Sequence, residues 1–275
     1  MVQCIGCKLV YQAPRPAPHT GRQLYPPSYE PFQATVADAG YIPRDLRRTA
    51  AFVNALRPEG GRLLDVGCGA GDFLVTMSRL YPPWQLAGIE ASPQAADYAR
   101  ERGLSVAHTT LEDARETNAP VNVVTLWNVL EHLADPVAML RRIEQWLAPG
   151  GFLCLAVPVH DSWAARVFGK YWAGWELPRH FYMFDQATII STLDAGGFTV
   201  VRKACISGTY YGIVRSSLLA LEGIAAPYAL RRMFTQSITS KLGRAVLKPP
   251  IWLSEAFQRG TVLTLAAQPK RDIVR

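Results

Sequence analysis

Between Leu63 and Phe73 the chain reads LLDVGCGAGDF, an apolar run followed by three alternating glycines and the start of a second apolar pattern. Gly67, Gly69 and Gly71 permit a tight turn with positive φ and let the backbone come close to a bound group, while a helix starting there offers free N–H donors. This describes a strand-to-helix cofactor turn, with Asp65 near the end of the strand and Cys68 inside the loop. A dinucleotide fingerprint runs G-x-G-x-x-G; here the third glycine comes one position early, which argues against NAD. Nineteen residues past Gly71 a second apolar run ends in GIE, so Glu90 can accept two hydrogen bonds from a ribose diol. A third element, TTLED at Thr109 to Asp113, follows the next apolar run. Cys4 and Cys7 supply two of the four ligands a structural zinc needs, and Cys68, Cys154 and Cys205 lie where none readily completes the set.

These residues need elements to hold them, and the pattern supplies an alternation. Strand-length apolar runs at 62–66, 85–89, 104–107, 122–127 and 152–157 are separated by helical patterns at 73–80, 93–102 and 137–147. Such alternation predicts a parallel sheet covered on both faces. A helix over 44–57, a further helix over 186–195 stopped by Gly196-Gly197, a sixth strand over 198–204 and a seventh over 261–267 complete the expectation. The first forty residues carry Pro14, Pro16, Pro18, Pro26, Pro27 and Pro31, which disfavour helix and central strand, and read as an irregular arm.

Two segments leave the carboxyl ends of strands, where open α/β sheets bind ligands. One, 158–185, holds eight aromatics between Trp163 and Phe184; the other, 207–260, is too long for a structureless loop and reads as helical. The expected division is therefore a Pro-rich arm (1–43), a doubly wound, mostly parallel seven-stranded Rossmann-like domain (44–206 and 261–275), and a helical cap inserted before the last strand (207–260).

Composition bounds the class. At 275 residues, 49% hydrophobic and 19% charged, the chain can bury a full core and is neither fibrous nor disordered. The net charge of +7 is unevenly placed: residues 199–275 hold twelve basic and three acidic side chains, the rest of the chain a slight acidic excess. A basic last quarter suits an anionic partner such as a phospholipid surface, a phosphorylated substrate or nucleic acid, or else merely solubilises apolar helices. Five cysteines without disulfide density and an amino terminus without a secretory apolar core predict a cytoplasmic protein. No run reaches the roughly 18 uncharged apolar residues of a membrane span, since Arg215, Glu222, Arg231 and Arg232 interrupt the most apolar carboxyl-terminal stretch.

With the glycine loop, Glu90 and TTLED in this order, the chain resembles the class I S-adenosylmethionine-dependent methyltransferases, in the broad branch that includes quinone-biosynthesis O-methyltransferases. The resemblance spans 44–158 and returns over 196–268. It implies that Asp65, Gly67, Cys68, Gly69 and Gly71 hold the methionine portion of the cofactor, Glu90 the ribose, and Leu111 with Glu112 the adenine, with Phe73 packed nearby. VVTLWNVLEHLADP and LAPGGFLCLAVP also look like this family and would put Trp127 and Asn128 beside the sulfonium. The Asn/Asp-Pro-Pro-aromatic motif of nucleic-acid amino-methyltransferases is absent, which argues against a nucleobase acceptor.

Methyl transfer from a sulfonium is an in-line displacement on an activated group, so the protein aligns the partners and, for a hydroxyl acceptor, removes a proton. His132 is the natural base. Some relatives bind a divalent metal through E-x-x-E-H at this place, but here Asn128 stands at the first acidic position, leaving Glu131 and His132; a purely structural Glu-His turn is the third option. His180 lies in WELPRHFYMF, similar to an element after the fifth strand in this branch, where it faces the acceptor or packs the lid. CIGCKLVYQAPRP resembles the second half of a zinc ribbon that precedes the domain in some relatives; either an upstream C-x-x-C is missing from this chain or the metal has been lost, and a metal-free remnant is the expectation.

The resulting expectation is methylation of a small or lipid-linked hydroxyl compound by S-adenosylmethionine, with no metal, with peripheral contact to anionic membrane, and with a homodimer as a further option. A non-catalytic relative and an NAD(P)-dependent oxidoreductase are the competing readings.

Overall fold

The computed structural model describes residues 1–16, 24, 41–114 and 120–273. In chain order the strands are β1 (Val2–Gln3), β2 (Val10–Tyr11), β3 (Gly61–Val66), β4 (Trp84–Glu90), β5 (Val106–His108), β6 (Val121–Trp127), β7 (Leu147–Pro158), β8 (Tyr182–Met183), β9 (Phe198–Ala204) and β10 (Val262–Pro269). Seven of them form one sheet in the order β5-β4-β3-β6-β7-β10-β9, in which only β10 runs antiparallel to its neighbours. This is the doubly wound, mostly parallel sheet that the alternation predicts. The order reverses between β3 and β6, and the carboxyl ends of those two strands open the crevice where such sheets take ligands.

Side-chain alternation explains the two-layered core. Leu63 of β3, Val123 of β6 and Cys154 of β7 pack with Phe73, Leu74 and Met77 of helix α2 (Asp72–Leu80) and with α1 (Arg44–Asn54) and α3 (Pro93–Glu101). Their neighbours Leu64, Val124, Leu153 and Leu155 face the opposite side, against α4 (Pro136–Trp146) and α6 (Gln186–Ala195). Caps set several helix starts. Ser92 and Asp135 accept from the backbone N–H groups of Ala95 and Ala138 ahead of Pro93 and Pro136, and Asp185 with Thr188 forms a capping box.

The structure corrects two expectations. The amino-terminal segment is not irregular throughout: β1 and β2 make an antiparallel hairpin, and β2 pairs with β8, Val10 opposite Met183 and Tyr11 opposite Tyr182. The six arm prolines all follow Tyr11, so the hairpin keeps its N–H donors; most of the Pro-rich stretch lies outside the described residues. The first helix ends at Asn54 rather than at residue 57, with Ala55 as its cap.

Between β7 and β8 lies a lid with helix α5 (Trp163–Phe168) and two 3-10 turns. Between β9 and β10 run three helices, α7 (Thr209–Gly223), α8 (Tyr228–Thr239) and α9 (Lys241–Ala256), and a short α10 (Lys270–Ile273) follows β10. Both insertions leave the carboxyl-end side of the sheet, because β9 runs parallel to β7.

Candidate active site

The glycine loop joins β3 to α2. Gly67, Gly69 and Gly71 have φ of 69°, 54° and 81°, which L side chains rarely adopt. A β-carbon on Gly67 would stand 2.7 Å from Cγ2 of Val129, and one on Gly71 would run into Leu104. The loop is tied to β4: Gly67 N donates to Ile89 O at 2.8 Å, and Gly69 N donates to Oε2 of Glu90 at 2.8 Å. Oε1 of Glu90 accepts from Ser92 N at 2.8 Å, so the buried carboxylate spans the crevice floor with lone pairs left on both oxygens. Burial raises its pKa, against those hydrogen bonds.

Asp65 is buried under the loop and accepts from Thr125 Oγ1 of β6 at 2.6 Å. Burial, against that bond, pushes its pKa up to about 7, with the nearby Glu90 charge adding to the rise. Cys68 is buried beside Gly88, where a β-carbon would come within 2.7 Å of its Sγ, and burial drives its thiol pKa upward. It packs the loop as an inert thiol. Phe73 and Trp127 meet edge to face at 5.1 Å, and Asn128, exposed at the end of β6, holds a φ of 54°. Leu111 is buried; Glu112 is exposed, and its carbonyl oxygen accepts from Arg142 at 2.8 Å. The crevice thus gathers the loop, Glu90, Phe73 and Trp127, while the Glu112 carboxylate faces solvent.

A second group lies beyond β6. The 3-10 turn Leu130–His132 buries Glu131 completely, and neither carboxylate oxygen has a hydrogen-bond partner among the described residues. His180, 48 residues after His132 in the chain, meets it ring to ring at 4.7 Å, and its Nε2 lies 3.9 Å from Oε1 of Glu131. The ligand-capable atoms of Glu131, His132 and His180 all lie within 4.8 Å of one another. Backbone carbonyls orient both imidazoles: Nδ1 of His132 faces Arg179 O at 3.1 Å, and Nδ1 of His180 faces Gly174 O at 2.8 Å. A carbonyl only accepts, so each Nδ1 carries the proton and each Nε2 keeps its lone pair.

Burial raises the Glu131 pKa to about 8 and lowers that of His132 to about 3, with His180 adding to the latter; burial also lowers His180, against the pull of Glu176. At neutral pH the group therefore holds a proton on Glu131 and two neutral imidazoles.

The sequence patterns brought out Glu131 with His132 and left His180 apart; the fold joins all three. They gave no sign of Glu176, whose Oε2 lies 3.5 Å from Nε2 of His180 and whose Oε1 accepts from Arg179 Nε at 2.8 Å. Nor did they show that the amino-terminal hairpin braces this group. Phe181 N donates to Glu131 O at 2.9 Å, Gln12 N donates to Phe181 O at 2.8 Å, and Arg15 donates to Tyr182 Oη and Ala134 O. Among the described residues no third metal-ligating side chain joins Cys4 and Cys7.

Residues 39–203 match the model of the methyltransferase domain family, and the chain belongs to that family. It is 34% identical over 139 residues to the ubiquinone biosynthesis O-methyltransferase of Ruegeria sp. (strain TM1040), covering 48% of this chain and 53% of that protein. Against the enzyme of the same name from Xanthomonas axonopodis pv. citri (strain 306), identity is 38% over 143 residues, 48% of this chain and 59% of that one. The matches thus span about half the length of these curated relatives. Among solved structures, the 1,6-didemethyltoxoflavin-N1-methyltransferase of Burkholderia thailandensis superposes with a TM-score of 0.57 at 15% identity, over 95% of this chain and 94% of that one. Coclaurine N-methyltransferase gives 0.54 at 14% identity, over 87% and 77%. These two likenesses show a shared fold. Family membership displaces the oxidoreductase reading.

Proposed function

We propose that the protein is an S-adenosylmethionine-dependent O-methyltransferase acting on a small or lipid-linked hydroxyl compound. The observation that carries this reading is the group formed by Glu131 and His132, in the turn after the strand whose end with the glycine loop and Glu90 forms the crevice, and by His180 of the lid, ring to ring with His132 at 4.7 Å. The crevice suits the cofactor: the loop turns through three glycines at positive φ and packs too closely on Val129 and Leu104 for side chains at Gly67 and Gly71, and Glu90 keeps lone pairs for a diol. The cofactor supplies a methyl group activated on a sulfonium. Asp65 and the loop would hold its amino-acid end, Glu90 its ribose, Leu111 its adenine, and Phe73 with Trp127 would wall the methyl path.

His132 and His180 then serve the acceptor. Each would take a hydroxyl proton at Nε2, and the imidazolium so formed is favoured by Glu176, whose Oε2 lies 3.5 Å from Nε2 of His180 and which raises the pKa of both rings against burial. Removal of that proton as the methyl group arrives is what a hydroxyl acceptor requires.

The same atoms support a second reading. A buried carboxylate without partners beside two oriented imidazoles is a donor set suited to a divalent cation such as zinc, held by Glu131, His132 and His180, which would acidify an acceptor hydroxyl. The test for the function is transfer of labelled methyl from S-adenosylmethionine to phenolic and catecholic acceptors, with and without polyprenyl tails, by wild type and by His132→Ala. Methylation that wild type performs and the variant loses supports the reading; no methylation of any hydroxyl acceptor, where amine analogues of the same acceptors are methylated, rejects it.

A further inference from the structure

The outer surface of the helical insertion combines two features that a water-facing helix pair seldom combines. Between Gly223 and Ser254 the sequence contains no acidic residue, while Arg231, Arg232, Lys241, Arg244 and Lys248 all fall within it. In α9, Leu242, Val246, Leu253 and Phe257 (just past the helix end) recur at spacings of four, seven and four, which puts them on one face. That face points outward. Leu242 is 75% exposed, Val246 66% and Phe257 64%, and Trp252 is 65% exposed, whereas Ser254 is buried. By helical position Lys241 and Lys248 flank Trp252 on the side away from Phe257, while Arg244 donates to Thr239 O at 3.0 Å and lies over the Tyr210 ring. From α8, whose residues are none of them buried, Leu230, Met233 and Arg232 add to the same exposed hairpin. Arg232, Lys241 and Lys248 have no acidic partner among the described residues.

We propose that the outward face of α8 and α9 docks this protein on an anionic lipid bilayer. Of the occupants an apolar helix face could have, a bilayer with anionic headgroups is the one that matches both halves of the surface. An apolar stripe enters the acyl boundary, while a cationic edge meets phosphates at the headgroup level, with lysine stems lying along the apolar surface and Trp252 at the interface. A second copy of the chain would bring the same acid-free, basic edge against itself, without the opposite charge that would stabilise it. No described helix is long and apolar enough to cross a membrane, so the contact lies in the membrane plane.

The docking face connects to the site. The hairpin rests on α7, and Ser216 Oγ of α7 accepts from Ala173 N of the lid at 2.8 Å, three residues before Glu176 and seven before His180. The proposal concerns the surface alone and does not rest on the identity of the methyl acceptor.

The experiment is co-sedimentation of the full chain with vesicles of phosphatidylcholine alone or mixed with phosphatidylglycerol, at low and high salt. Partners are Lys241→Glu/Lys248→Glu and Trp252→Ser/Phe257→Ser, all exposed positions whose fold is checked by circular dichroism. The expected result is binding to the anionic vesicles, weakened by salt, reduced at least about tenfold by the charge reversals and likewise by the loss of the aromatic pair. Absence of binding to anionic vesicles at low salt overturns the proposal. So does binding that both double variants retain, which would place the contact elsewhere. A stable dimer that Trp252→Ser/Phe257→Ser dissociates, without vesicle binding by wild type, assigns the face to a second copy instead.

Discussion

Nε2 of His180 lies 3.9 Å from Oε1 of Glu131, a completely buried carboxylate with no hydrogen-bond partner among the described residues. A buried acid left in this state costs stability unless it stays protonated or meets a cation. We propose that this carboxyl, beside two oriented imidazoles, works on a proton or an ion.

If the group takes a hydroxyl proton, His132→Ala and His180→Ala should lower turnover by about 10²–10⁴ while affinity for S-adenosylhomocysteine changes less than about twofold. Steady-state kinetics beside calorimetric titration reads both quantities. A purely structural pair would instead show parallel loss of folding and of cofactor affinity.

Metal content separates the two uses of these atoms. Under the cation reading, protein purified without chelator carries near-stoichiometric zinc or another divalent ion, and Glu131→Gln or His180→Ala lowers metal affinity by at least about 10–100-fold. Under the acid–base reading, chelation leaves turnover unchanged. Elemental analysis with activity after dialysis against a chelator distinguishes them.

Asp65 predicts a pH dependence with a definite sign. Its folded pKa of about 7 exceeds the ordinary carboxyl value, so its contribution to stability is fully present at low pH and is lost as pH rises towards 7. A ligand ammonium group favours the ionised form. S-adenosylhomocysteine affinity should therefore increase with pH up to about 7 and flatten above it. Asp65→Asn should abolish that rise and reduce the loss of stability between about pH 4 and 7. An affinity that is level from pH 5 to 8 in wild type would contradict the role assigned to Asp65.

The crevice was legible in the sequence because its parts are local: three glycines needing positive φ, an acid at or near each of two strand ends, and continuous apolar runs that give way to helical periodicity. The mostly parallel sheet followed from the same alternation, whereas its strand order came only with the structure. The proton-holding group was only half legible, since Glu131 and His132 are neighbours while His180 arrives through a lid whose path depends on tertiary pairing. Two-residue strands such as β1, β2 and β8 carry too few residues to show a period, so the bracing of Phe181 by Gln12 had no local signal. Glu176, at φ 31°, owes its placement to a strained turn rather than to any spacing.

If the loop and Glu90 bind S-adenosylmethionine, calorimetric titration of S-adenosylhomocysteine into wild type and Glu90→Ala will show it. The account predicts saturable one-to-one binding by wild type and an affinity loss in the variant of about 1–3 kcal/mol, or roughly 5- to 150-fold, with the circular dichroism spectrum unchanged. No binding by folded wild type, or equal affinity in both proteins, would contradict it.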